Sequence, residues 1–286
     1  MMVKRHLLKT AVLTGSVVPR WRSRDVIILM YHTVSGQLDL EMDVPFERFL
    51  RQMSHLAETG RVRSLNDALA RLRTGDTSGG PFYVITFDDA YRDFHTHAAP
   101  VLTDLGLPAT LYVPTGFVDN SGSHPVTKPL ASHEYPGACT WDMLREHNDS
   151  QLITLGSHTH DHPELTSLIP VEVKVEVEMA IARFEDELGF RPAHFAYPRG
   201  KWNPQVEELI RPYHETLAVI EGQANSADDF NPYRLTRVGI GKSDTMPWFR
   251  HKLRGRLDGE ETVKALARRG VARMSVEAKP RHPAAR

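Results

Sequence analysis

Two clusters of polar residues have side chains that could carry out hydrolytic chemistry. The first is the adjacent pair Asp88 and Asp89, which directly follows six apolar or β-prone residues. The second is the segment 158–162, His-Thr-His-Asp-His, which follows another apolar run. Carboxylate oxygens and imidazole nitrogens are ligands that zinc and similar cations take in proteins. One carboxylate could therefore bind a metal ion while the other accepts a proton.

Each cluster also has a purely structural interpretation. Aspartates are common in turns and at helix caps, and a single histidine is most often structural. Two histidines four residues apart converge on one ion if the chain turns helically between them, but spacing alone leaves open which two would bind. A third segment, Phe-Ala-Tyr-Pro-Arg-Gly at 195–200, could fix a backbone amide toward an oxyanion. A plain turn between a strand and a helix explains that segment equally well.

Short apolar runs alternate with helical patterns along the chain and must position these clusters. We predict strands at 26–31, 82–87, 109–113, 152–155, 194–197, 216–220 and 237–240. The alternation favours parallel strands joined by right-handed crossovers, and so an α/β fold that is a distorted barrel of about seven strands. Both polar clusters follow strands, at the rim where such barrels carry their chemistry.

The intervening segments are predicted from caps and periodicity. Ser64 and Asp67 form the pattern of a capping box, and Thr140 could cap another helix. The segment 171–177 alternates as a strand would, but a longer apolar stripe from Val173 to Leu188 favours a helix between Pro170 and Gly189. Residues 114–139 lack periodicity and are predicted to be a long loop that is either functional or mobile.

Composition restricts the class of protein. The chain has 286 residues, of which 41% are hydrophobic and 25% charged, and its net charge is −1. These values are typical of a globular protein with no overall bias toward nucleic acid. The single cysteine, Cys139, excludes an internal disulfide. No run of about 18 apolar residues is present, so we expect no transmembrane segment, although a peripheral membrane contact stays open.

The two ends of the chain differ from its middle. Residues 1–24 are basic and then partly apolar, but Lys9 interrupts the apolar part and no small-x-small cleavage site follows. We therefore predict a short helix or leader, and a cytoplasmic or membrane-peripheral location rather than secretion. Residues 25–243 are predicted to form the catalytic domain. Residues 244–286 are predicted to form a helical extension with a basic tail.

Several segments together resemble the polysaccharide deacetylase family, also called the NodB-homology family or carbohydrate esterase family 4. Thr-Phe-Asp-Asp at 86–89 matches the first family motif, and His-Thr-x-x-His at 158–162 matches the second. The segment 195–200 looks like a variant of the third motif. The segments Leu-Met-Tyr-His at 29–32 and Leu-Pro-Ala-Thr-Leu-Tyr-Val at 107–113 also resemble bacterial members. The similarity covers roughly residues 26–240.

The resemblance implies a fold, a reaction and a set of roles. It implies a NodB-like barrel that removes acetyl groups from N-acetylated sugars of an oligo- or polysaccharide. Asp89, His158 and His162 would bind a divalent metal, usually zinc. Asp88 would be the general base, and the backbone N–H of Arg199 would stabilise the oxyanion.

The chain also departs from the family pattern. Ala90 stands where many members have glycine, Ala196 where the third motif often has an arginine that holds the catalytic aspartate, and Arg199 where an aromatic residue is common. The fourth and fifth motifs are not visible, which leaves the general acid unassigned. One hypothesis is that Arg237 replaces the missing arginine beside Asp88, although an arginine at such a position is more often a surface residue.

Two further residues are candidates for contacts with substrate. His32, at the end of the first strand, could be the general acid, and Trp202 could stack on a sugar, although most such tryptophans belong to the core. Three other functions share this pattern: an O-acetyl esterase, a non-catalytic glycan-binding or assembly protein, and a metal-dependent hydrolase of another substrate such as a cyclic amide. The sequence does not indicate an oligomeric state.

Overall fold

A computed structural model describes residues 26–76, 78–120, 137–220 and 224–254. The predicted N-terminal leader and basic tail lie outside the described residues, as does most of the segment 114–139. None of the helices in the described part of the chain is long and apolar enough to cross a membrane.

Seven parallel strands form a closed barrel in sequence order. They are β1 (Val26–Tyr31), β2 (Phe82–Phe87), β3 (Ala109–Val113), β4 (Ile153–Ser157), β5 (His194–Ala196), β6 (Thr216–Val219) and β7 (Leu235–Gly239). Pairing of β1 with β7 closes the barrel, with Ile28 opposite Arg237. The predicted α/β barrel is therefore confirmed. Its parallel strands bring all their carboxyl ends to one rim.

Helices pack around the barrel. In the described ranges they are α1 (Phe46–Thr59), α2 (Leu65–Thr74), α3 (Ala99–Asp104), α4 (Thr115–Asp119), α5 (Trp141–Asp149), α6 (Pro170–Leu188), α7 (Pro204–Ile210) and α8 (Met246–Lys252). The Ser64 hydroxyl accepts a hydrogen bond from the Asp67 N–H at the start of α2, and Thr140 caps α5 in the same way. Both predicted caps are confirmed, and each satisfies a backbone donor that a helix start leaves open.

Helix α6 covers the segment where a strand-like alternation at 171–177 competed with a longer helical stripe of apolar residues. Its stripe of Val173, Val177, Ile181 and Phe184 is buried against the barrel, whereas Val175 faces solvent. The helix ends at Gly189, whose left-handed φ of 74° terminates the backbone hydrogen bonding. The interpretation of this segment as a helix is therefore confirmed.

Several boundaries differ from the predicted ones. Strand β4 extends to Ser157, and β7 begins at Leu235, which places Arg237 in the middle of the strand. A π-helical turn, Phe94–Ala98, directly precedes α3. Within the predicted loop 114–139, the short helix α4 occupies the first residues. Sequence periodicity needs about two helical turns to be visible, so a helix of five residues gave no signal.

Two buried histidines lie on the strands of the barrel wall or just before them. His194 begins β5 and exchanges hydrogen bonds with Thr216 and Asn66, at 2.9 Å each. The Nδ1–H of His214 donates to the carbonyl oxygen of Pro192 at 2.8 Å, and its ring stacks on Phe195. Burial disfavours the charged imidazolium and lowers the pKa of both histidines to about 4.

These pKa values predict a pH-dependent stability. An unfolded histidine takes up its proton near pH 6.5, but the folded chain resists protonation of His194 and His214 until about pH 4. The free energy of unfolding should therefore fall as the pH decreases from about 6.5 to about 4. The expected slope is up to about 1.4 kcal/mol per pH unit for each histidine. Urea unfolding across this range should show a smaller slope for His194→Asn than for the wild-type chain; equal slopes would contradict the assignment.

Candidate active site

The two adjacent aspartates leave strand β2 through an unusual backbone. The N–H of Asp88 still donates to the carbonyl oxygen of Tyr31 at 3.0 Å, as part of the ladder with β1. Asp89 and Ala90 then adopt left-handed φ angles of 73° and 48°. Successive side chains of a regular strand point to opposite faces. The left-handed turn removes that alternation, and both carboxylates are buried at the mouth of the barrel, with 2% and 4% exposure.

The second cluster forms a tight turn at the end of β4. The N–H of His158 continues the ladder by donating to the carbonyl oxygen of Val113 at 3.0 Å. Thr159 and His162 have left-handed φ angles of 67° and 56°, and the Thr159 hydroxyl accepts from the His162 N–H at 3.0 Å. This reversal brings the Nε2 atoms of His158 and His162 to 3.1 Å from each other. His160 instead contacts the hydroxyl of Thr115 at 2.8 Å.

The aspartate turn and the histidine turn converge on one point. Oδ1 of Asp89 lies 3.6 Å from Nε2 of His158 and 3.4 Å from Nε2 of His162. Among the described residues these three form a group whose ligand atoms all lie within 4.8 Å of one another. Ligand atoms about 2.0–2.1 Å from a tetrahedral zinc ion lie roughly 3.3 Å apart. The spacing of the three atoms therefore fits one metal ion of this size.

The orientation of His158 supports the same conclusion. Its Nδ1 lies 2.7 Å from the carbonyl oxygen of Ala196, which can only accept, so Nδ1 must carry the proton. Nε2 then presents a lone pair toward Asp89 and His162. A metal-binding histidine usually donates its other ring N–H to such a carbonyl. The burial of His158 also lowers its pKa, which favours the neutral ring that a cation requires.

Asp88 is paired with a fully buried arginine. Nη1 and Nη2 of Arg237 donate to Oδ1 and Oδ2 of Asp88 at 2.5 and 2.9 Å, and the guanidinium lies 5.2 Å from the ring centroid of Tyr112. Burial by itself would raise the pKa of the Asp88 carboxyl, but the charge and hydrogen bonds of Arg237, with His158, outweigh it and hold that pKa below its ordinary value. The predicted placement of Arg237 beside Asp88 is confirmed, and the surface alternative is wrong.

The third segment forms a short 3₁₀ turn at the end of β5. Arg199 has a left-handed φ of 57°, and its side chain is half exposed, with Nη1 at 4.0 Å from a carboxylate oxygen of Glu164. Gly200 is also left-handed, and a β-carbon there would lie 2.6 Å from Ile220, so the turn is closely packed. The structure places this turn at the barrel rim. The role of the Arg199 N–H toward an oxyanion stays a prediction.

The two candidate substrate contacts have different surroundings. His32 is half-buried at the end of β1, close enough that its charge lowers the pKa of Asp88. Its position is therefore consistent with a general acid, a role that stays a prediction. Trp202 packs against the barrel side, and the guanidinium of Arg234 lies 4.4 Å from its ring centroid. One face of this ring is thus covered by an arginine, which limits stacking on a sugar to the other face.

Sequence reasoning missed two aspartates that fix the loop after β1. Oδ2 of Asp93 accepts hydrogen bonds from the Thr33 hydroxyl and the Val34 N–H, at 2.5 Å each. The carboxylate of Asp43 accepts from the backbone N–H groups of the same loop, including that of Gly36 at 2.8 Å. Asp93 therefore ties the loop that follows His32 to the turn that follows β2. Its spacing in the sequence gave no sign of these contacts.

Comparisons with known proteins give proteins named as deacetylases as relatives of this chain. The family model described as polysaccharide deacetylase matches residues 75–216. The Bacillus subtilis protein YxkH, named as a polysaccharide deacetylase, is 25% identical over 214 residues, which are 74% of this chain and 70% of that protein. The Escherichia coli poly-β-1,6-N-acetyl-D-glucosamine N-deacetylase is 28% identical over 270 residues. That alignment covers 82% of this chain but only 39% of the length of the Escherichia coli protein.

Solved structures show the same barrel. The Streptococcus pyogenes deacetylase PplD superposes with a TM-score of 0.66 at 20% identity, over 80% of this chain and 98% of that one. IcaB from Ammonifex degensii gives a TM-score of 0.66 at 22% identity, over 81% and 97% of the two chains. At these identities the likeness supports the fold alone. The match to the family model and the curated relatives show that this chain is similar to members of the polysaccharide deacetylase family. The predicted enzyme class, a hydrolase of carbon–nitrogen bonds other than peptide bonds, is confirmed at the level of that family.

The buried ion pair predicts a strongly non-additive pair of substitutions. Arg237→Met should destabilise the fold by about 3–5 kcal/mol, because it leaves the Asp88 carboxylate buried without its cation. Adding Asp88→Asn should recover much of this loss, since the remaining groups are neutral. Urea unfolding of the two single variants and the double variant measures the coupling. Arg234→Met, which removes an exposed ion pair with Glu207, is the control, with an expected loss of about 0–1 kcal/mol for the ion pair. If the changes in the free energy of unfolding caused by Asp88→Asn and Arg237→Met were additive in the double variant, the pairing would be contradicted.

Proposed function

We propose that this chain is a metal-dependent N-deacetylase that removes acetyl groups from N-acetylated sugars of a glycan or glycan precursor. The observation that carries the proposal is the convergence of Asp89, His158 and His162 beside an aspartate that is ion-paired with Arg237. The three converging groups are the metal ligands in this proposal, with zinc as the preferred ion, and Asp88 is the general base.

Each residue has a task that its surroundings support. Asp89, His158 and His162 would hold a divalent ion, and such an ion would supply Lewis-acid chemistry toward a carbonyl and a water molecule. Asp88 accepts the proton of the attacking water, and it needs an ionised carboxylate to do so. Arg237 keeps that carboxylate ionised and fixes both of its oxygens. The N–H of Arg199, at the rim, is the proposed donor to the oxyanion.

The substrate class follows from the relatives by analogy. The Escherichia coli protein carries in its name a polymer of β-1,6-linked N-acetylglucosamine. Because this chain spans 39% of that protein, we transfer the class of substrate, an N-acetylglucosamine oligomer or polymer, rather than its whole activity. A cytoplasmic or membrane-peripheral location is part of the same proposal and rests on the composition of the N-terminal segment.

Metal dependence is the first test. Acetate release from N-acetylglucosamine oligomers should stop when a chelator removes the metal, and zinc should restore it. Asp88→Asn should still bind one metal per chain but lose turnover by about 10²–10⁴-fold, because it cannot accept the proton. Acetate assays and metal analysis of the same samples make this measurement.

Matched variants separate the roles in the histidine turn. His158→Ala should lose the metal together with activity, whereas His160→Ala, in the same turn, should keep it. Release that continues unchanged in chelator would exclude a metal mechanism. Metal-loaded protein that releases acetate only from O-acetylated sugars would favour an esterase, and no release from any acetylated sugar would favour a glycan-binding protein.

The proposed acid can be tested by changing the leaving group. Departure of an amine requires a proton, whereas nitrophenolate departs without one. His32→Asn should therefore reduce deacetylation of N-acetylglucosamine oligomers by about 10²-fold or more and leave hydrolysis of p-nitrophenyl acetate within about threefold. Rates on the two substrates in parallel make the comparison. An equal loss on both, or no loss on either, would exclude His32 as the acid.

A further inference from the structure

Glu176, on helix α6, makes a contact that its sequence position does not suggest. It lies on a helix with many exposed glutamates, yet it is half-buried, and its Oε2 accepts two backbone hydrogen bonds from outside the helix. The donors are the N–H groups of His160, at 3.2 Å, and Asp161, at 2.9 Å. These two residues form the middle of the turn that joins His158 to His162.

The turn needs support from outside because its own backbone is unfavourable. Thr159 and His162 both have left-handed φ angles, a conformation that residues with a β-carbon disfavour. Consecutive backbone N–H groups that point the same way form a concave site for an anion. The carboxylate of Glu176 fills this site for His160 and Asp161, and so it favours the conformation that brings the two Nε2 atoms together.

The position of the carboxylate is itself fixed. Val173 and Val177, on either side of Glu176 in the helix, are buried against the barrel with 1% and 0% exposure. On the opposite side of the turn, the N–H of Gly116 donates to the carbonyl oxygen of His160 at 2.9 Å. A β-carbon at Gly116 would lie 2.5 Å from a carboxylate oxygen of Asp161. The turn is therefore held between α4 and α6 with no room to shift toward α4.

We infer that Glu176 is a positioning residue for the metal centre, which holds the turn between His158 and His162 in the conformation that binds the ion. The inference rests on the proposed function, since it requires that these two histidines bind a metal. Glu176 touches neither the ion nor the substrate in this account. It acts through the backbone of residues 160 and 161.

The expected effect is a loss of metal affinity without unfolding. Groups that orient metal ligands typically contribute about 10–100-fold to affinity. Glu176→Ala should weaken metal binding by an amount in this range, because water can solvate the freed amides but does not hold them in place. Glu176→Gln should bind within about threefold of the wild-type chain, since its amide oxygen can accept both hydrogen bonds. Glu185→Ala is the matched control: it removes the same charge from an exposed site on the same helix.

The experiment is a titration of metal-free protein with Co²⁺, read by its visible absorption, with the dissociation constant set by a competing chelator. We expect the wild-type chain, Glu185→Ala and Glu176→Gln to bind Co²⁺ with similar affinity. Glu176→Ala should bind it about 10–100-fold more weakly and with an altered cobalt spectrum. Thermal unfolding of the metal-free proteins checks that all four are folded.

The possible outcomes distinguish the positioning role of Glu176 from the proposed metal centre. If the wild-type chain binds no cobalt, the proposed metal centre is wrong. If it binds cobalt and folded Glu176→Ala binds with the same affinity and spectrum, the centre stands and the role of Glu176 is wrong. An equal loss in Glu176→Ala and Glu176→Gln would also contradict the inference, because the amide retains the acceptor.

Discussion

A guanidinium group buried inside a barrel requires a negative partner, and the arrangement of the site depends on how Arg237 meets this requirement. Its side chain has 0% exposure and projects from the last strand onto Asp88, the residue that directly follows the second strand. Strands β7 and β2 both flank β1, so the ion pair spans the strand that closes the barrel. The pairing keeps Asp88 ionised in a buried position where a carboxyl group alone would tend to be protonated. It also leaves the adjacent carboxylate, Asp89, to face the histidines.

Left-handed backbone at the strand ends produces the rest of the centre. Asp89 and Ala90 after β2, Thr159 and His162 after β4, and Arg199 after β5 all have positive φ. Each of these residues carries a β-carbon, and such conformations persist where surrounding contacts support them, often at functional sites. The Glu176 carboxylate, the Thr159 hydroxyl and the packed turn around Gly200 are supports of this kind. The barrel thus provides stable strand ends, and the unfavourable turns between strand and helix aim the side chains.

Local sequence signals predicted much of this structure. Buried strands appear as apolar runs, and helices α2 and α5 begin at the predicted caps, because these features depend on neighbours in the chain. The convergence of His158 and His162 was open from spacing alone and was decided by the left-handed turn at Thr159. Arg237 was considered because the third family motif often has an arginine where this chain has Ala196, so another arginine was needed beside Asp88. Each of these predictions rested on a sequence pattern of a few residues or on a family motif.

The supporting contacts had no such signal. From the sequence, Glu176 resembles any exposed glutamate of an amphipathic helix. Asp93 resembles an ordinary residue in the first turn of a helix. Their partners lie 15 and 59 residues away in the sequence, and only the closed barrel brings them together. Short α4 was missed because five residues show no periodicity. The polar contacts that stabilise the turns at the barrel rim are therefore the main feature that local sequence patterns did not predict.

We propose that one metal ion is bound between the aspartate turn and the histidine turn. Anomalous diffraction from a crystal of zinc-loaded protein, collected above and below the zinc absorption edge, tests it most directly. We expect one strong peak per chain, about 2.0–2.2 Å from Oδ1 of Asp89 and from Nε2 of both His158 and His162, with Asp88 still paired to Arg237. A protein that is loaded with zinc but shows its peak elsewhere, or a peak bound by Asp88 in place of Asp89, would contradict it.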